Sequence, residues 1–64
     1  MVTELDILRV AHLMLHEYGG NAEGEAARYA DRLRGSGDWN ALLTWTRIRQ
    51  TIAVMHRVPT GLPN

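Results

Sequence analysis

Two glycine-centred breaks, Gly19-Gly20-Asn21 and Gly35-Ser36-Gly37-Asp38, divide this chain of 64 residues into three stretches. Glycine adopts backbone conformations with positive φ that stop a helix. Within each stretch the apolar residues recur at helical spacing. A chain so divided is directed towards helix-turn-helix-turn-helix. The expected fold is all-α: a compact three-helix bundle with helices at about 4–18, 22–34 and 39–57. Residues 1–58 would form the bundle and residues 59–64 a short frayed tail.

The first stretch opens on Thr3, a helix-capping residue with Asp6 three positions on, the spacing of a capping box. At 100° per residue, Ile7, Val10, Ala11, Met14 and Tyr18 share one face, flanked by Leu8 and Leu15, while Leu5 and Leu13 fall on the other side. In the second, Asn21 is the expected cap, and Ala22, Ala26, Tyr29, Ala30 and Leu33 form a narrow stripe of mainly small residues. The pairs Glu25-Arg28, Arg28-Asp31 and Asp31-Arg34 decorate its outside. The third stretch starts at Asp38 and buries Ala41, Leu42, Trp45, Ile48, Ile52 and Met55. Pro59 forbids its continuation, so it ends near Arg57 or Val58. Trp45 and Tyr18 are the bulkiest expected core members.

The series Tyr18-Gly19-Gly20-Asn21-Ala22, Ala26-Ala27-Arg28-Tyr29-Ala30-Asp31-Arg32-Leu33, Gly37-Asp38 and Trp45-Thr46-Arg47-Ile48 resembles a group of uncharacterised small helical proteins of alphaproteobacteria. The resemblance covers residues 5–55 and implies a three-helix fold and a bacterial cytoplasmic origin. It implies no catalytic residues.

A chain this short rarely draws more than about 3–5 kcal/mol from a single core. Without cysteine, it has neither a disulfide nor a thiolate metal site to reinforce it. The apolar run Ile7 to Leu15 is interrupted by Arg9 and His12 and has no cationic lead, so it reads neither as a signal peptide nor as a membrane span. A cytoplasmic location is the expectation. Net charge is zero but divided. Residues 1–27 set Arg9 against Glu4, Asp6, Glu17, Glu23 and Glu25, and residues 28–64 set six arginines against Asp31 and Asp38. The simplest consequence is that acidic early helices dock beside basic late ones inside one molecule.

Little in the residue inventory points to catalysis. The single serine, Ser36, stands in a glycine turn, and lysine and cysteine are absent. His12 and His16 are one helical turn apart, but the intervening run is not the zincin motif and no third ligand follows at metal spacing. No enzyme activity, cofactor, metal or small-molecule substrate is expected.

Two binding readings remain. Trp39, Leu43 and Val54 make a second apolar ridge on the third helix, interleaved with Arg47, Gln50 and Arg57; exposed apolar patches with polar rims mark protein interfaces. On this reading the chain is a non-catalytic adaptor, regulator or inhibitor, of host or phage origin, binding another protein or itself as a homodimer. The competing fate of the ridge is burial within the bundle. The alternative function is nucleic-acid binding through Arg28, Arg32, Arg47, Gln50 and Arg57, residue types that contact phosphates and base edges. Zero net charge and five early carboxylates weigh against it.

Overall fold

The computed structural model describes residues 2–57, all helical apart from short connections and with no strand among them. Helix α1 spans Glu4–Tyr18, α2 spans Ala22–Ser36 and α3 spans Trp39–Arg57. The proposed tail at 59–64, and the roles of Val58 and Pro59 in ending the last helix, lie outside the described residues. No helix among the described residues is long and apolar enough to cross a membrane.

The start of α1 is a reciprocal capping box. The Asp6 N–H donates to Thr3 Oγ1 at 3.2 Å and the Thr3 N–H donates to Asp6 Oδ2 at 3.0 Å. Two amide protons at the helix start thereby find acceptors. The Thr3 amide, followed by its hydroxyl, holds the Asp6 carboxyl below its ordinary value of 3.8. Asp38 starts α3 in a similar way, accepting from the Ala41 N–H at 3.1 Å.

Between α1 and α2 the expected break is not a loop. Gly19–Asn21 form a single 3-10 turn, so helical structure is unbroken from residue 4 to residue 36. By continuity the described residues therefore form two helical runs, 4–36 and 39–57, rather than three helices separated by loops. Gly19 takes φ 54°, ψ −126°, and bends the first run there. The bend is large. On a straight helix Glu4 and Glu23 would be about 28 Å apart, yet they pair with Arg47 and Arg49, which are neighbours on α3. Helix α3 packs against both arms, and the arms touch each other far less.

Two further boundary expectations need correction. Asn21 makes no side-chain cap to α2. The preceding 3-10 turn removes the need, because the Ala22 N–H already donates to the Gly19 carbonyl. Helix α2 also runs through Gly35 to Ser36 instead of stopping at Arg34. Ser36 Oγ donates back to the Leu33 carbonyl at 2.8 Å, and only Gly37, left-handed at φ 81°, ends the helix.

The core consists of Ile7, Ala11 and Met14 from α1, Ala22 and Ala26 from α2, and Ile48 and Ile52 from α3. Ala30 is buried as well. The alanines leave α2 little side-chain volume on its inner face, allowing close approach to α3, as the small-residue stripe suggested. Val10, Leu15, Trp45 and Met55 cover the edges of this cluster. Tyr18, expected in the core, is 46% exposed. It is the last residue of α1, beside the bend at Gly19. Trp45 is half-buried rather than central. Its ring stacks on Tyr29 at 4.6 Å and 9°, sealing the α2–α3 seam from outside. Tyr29 therefore contributes as an exposed cover and not as part of an interior stripe.

Candidate interaction surface on helix α3

Helix α3 is apolar on two opposite sides. Taking Trp39 as the origin and advancing 100° per residue, Ile48 and Ile52 lie near 200°, whereas Trp39, Leu43, Gln50 and Val54 fall within 60° of one another on the far side. Burial follows that division. Ile48 and Ile52 are 2% and 0% exposed, while Trp39, Leu43 and Val54 are 65%, 63% and 57% exposed. Burial of the outer ridge within the bundle, the competing outcome, does not occur in this structure.

The ridge borders two depressions. A groove of about 510 Å³ is lined by Val2, Ile7, Asn40, Leu43, Thr44 and Arg47. The next, about 320 Å³, is lined by Arg47, Gln50, Thr51 and Val54. Four of the five residues proposed from sequence thus line adjoining hollows that share Arg47, and Trp39 precedes them at the start of the helix. Val2, just ahead of the Thr3 cap, and Ile7 in α1 supply a wall, which periodicity within α3 could not reveal.

Polar groups along this surface are largely engaged. Thr44 Oγ1 donates to the Asn40 carbonyl at 3.0 Å and Thr51 Oγ1 to the Arg47 carbonyl at 2.8 Å. Their hydroxyl protons are thereby committed to the helix backbone. Arg47 Nη2 lies 3.0 Å from Glu4 Oε1. Both side chains are more than half exposed, so the pair contributes at most about 1 kcal/mol. Its main effect is positional: it holds the guanidinium towards α1 and beside the groove.

The residues of the nucleic-acid alternative are dispersed. Arg28 pairs with Glu25 at 3.4 Å, and Arg32 lies over the Tyr29 ring at 5.9 Å, both on α2. Arg47 turns the other way, to α1. Arg49 meets Glu23 and Arg34 meets Asp31, while Arg57 is exposed at the end of α3. The Glu4-Arg47 and Glu23-Arg49 pairs realise the expected docking of acidic early segments beside basic later ones. His12 and His16 are exposed on α1, and among the described residues no three His, Cys, Asp or Glu side chains gather in metal-binding geometry.

Comparison with known proteins adds no relative: no protein-family model, curated protein or solved structure matches this chain.

Proposed function

We propose that this chain is a non-catalytic protein–protein interaction module, a small all-helical protein that acts by occupying a surface as an adaptor, regulator or inhibitor. Its docking face is the outer side of α3, centred on Trp39, Leu43, Arg47, Gln50 and Val54. The observation that carries the reading is the continuous exposed ridge directly opposite Ile48 and Ile52. Fully burying a side chain of this kind is worth about 1.5–3 kcal/mol. Interface hot spots favour tryptophan and arginine near the centre of a desolvated patch, and the ridge contains both. A cytoplasmic setting and kinship with small alphaproteobacterial helical proteins belong to the same proposal. Nucleic-acid binding is the weaker reading, because Arg28, Arg34, Arg47 and Arg49 already have carboxylate partners within the chain.

A photo-crosslinking residue at Gln50, compared with one at Asp31 on α2, tests the face in cells. Adducts from Gln50 that disappear in Leu43→Asp, with none from Asp31, are the expected result. Equal labelling from both positions, or none from Gln50, would overturn the assignment.

A further inference from the structure

We infer that the occupant of the α3 face is a second copy of this chain, docked with the two α3 helices antiparallel about a two-fold axis near Arg47; this rests on the docking-face reading above. The first argument is the size of the interior. Among the described residues, half of the buried ones are alanines, and the large ones are Ile7, Met14, Ile48 and Ile52. So small a core gains most from a partner that is present wherever the chain is made, and another copy meets that condition. Zero net charge removes long-range repulsion between copies.

Charge selects the orientation. Helix α3 contains Arg47, Arg49, His56 and Arg57 but no carboxylate. Parallel pairing would set each cation level with its twin. Antiparallel pairing opposes the two helix dipoles and brings Arg57 of one copy to the N-terminal end of the other, where Asp38 stands. Arg47 meets its counterpart at the axis, but each arrives with Glu4 at 3.0 Å, so ion pairs face one another instead of bare cations. Spacing agrees. Trp39 and Val54, like Leu43 and Gln50, are equidistant from the point midway between Thr46 and Arg47, so a two-fold there sets Trp39 against Val54 and Leu43 against Gln50. Such a contact is isologous and closes at two copies.

A single helix face makes a small interface, so the dimer should dissociate in the micromolar range. The test is sedimentation equilibrium on the full chain from about 1 µM to about 1 mM, joined to disulfide mapping, for which the cysteine-free sequence is well suited. The expected result is reversible dimerisation, weakened at least ~30-fold by Leu43→Asp. Thr46→Cys should cross-link to itself, and Trp39→Cys should cross-link to Val54→Cys in a mixture. A monomer throughout the range overturns the second copy as occupant. If the Gln50 adduct then contains a different protein, the docking face survives and only self-association falls; with no adduct, both fall. Dimers that persist in Leu43→Asp, or that cross-link Trp39→Cys only to itself, refute the face or the antiparallel register respectively.

Discussion

The inner and outer sides of α3 use similar residues to different ends. Ile48 and Ile52 on one side, and Leu43 and Val54 on the other, are all branched aliphatic side chains within the same 19-residue helix. The inner pair is enclosed by α1 and α2, whereas the outer pair faces solvent. Hydrophobicity therefore does not determine which side becomes core. The deciding factor is where the two arms of the bent first run can reach. That run folds at Gly19 and places both arms on one side of α3, leaving the other side uncovered. A helix apolar on opposite sides has one side for folding and one for association, and substitutions should separate the two.

The largest effect should come from Ile52→Ala. Removing this fully buried side chain costs about 2–5 kcal/mol, comparable to the whole stability of so small a domain. Far-UV circular dichroism at 25 °C should show most of the helix signal lost. Leu43→Ala should leave urea unfolding in dilute solution within about 0.5 kcal/mol of the unaltered chain. A loss near that of Ile52→Ala would mean the outer side is part of the folding core and would erase the distinction.

Next in size is Asp38→Ala, expected to cost about 1 kcal/mol by freeing the Ala41 amide at the start of α3. Because α3 joins both arms, its loss should lower the urea midpoint of the whole domain without dividing the transition. Gly24→Ala should act in the opposite direction. Gly24 lies inside α2 with open space where an added methyl group would sit, so stability should rise by about 0.4–1 kcal/mol. A decrease would indicate strain in α2.

The smallest effect is pH-dependent and belongs to the capping box. Because the folded carboxyl of Asp6 titrates below 3.8, its stabilising contribution is complete above that value and lost as pH falls through the lower, folded value. Asp6→Asn should therefore be less stable than the unaltered chain at pH 7, with the difference shrinking below pH 3.8. Urea midpoints at several pH values would reveal it, and a constant difference would contradict the cause given for the shift.

Sequence made the helix ends legible wherever a single residue determines them. Thr3 and Asp38 cap, because each acts through backbone within a few residues of itself, whereas the expected end of α2 at Arg34 falls two residues short, since only Gly37 takes the left-handed conformation. Periodicity also placed Ile7, Ala11, Met14, Ala22, Ala26, Ile48 and Ile52 inside. It could not foresee the exposure of Tyr18 or the stacking of Tyr29 on Trp45, which depend on where one helix ends relative to another. The 3-10 turn escaped for a related reason: Gly19-Gly20-Asn21 permits a loop as readily as a tight helical bend. For the candidate surface, Trp39, Leu43, Gln50 and Val54 could be read from the angular spacing on α3. Glu4 and Val2 could not, since their place beside the ridge follows from the path of α1.

The stacked pair at the α2–α3 seam has a practical consequence for observing all this. Of the two indoles, that of Trp45 is sheltered against the Tyr29 ring, while that of Trp39 is open to dissolved quenchers. Iodide should darken the emission of Trp39 preferentially, and anything settling on the ridge should restore it while leaving the sheltered chromophore unchanged. Melting, by contrast, would equalise the two. The molecule thus carries separate optical readouts for being covered and for being undone.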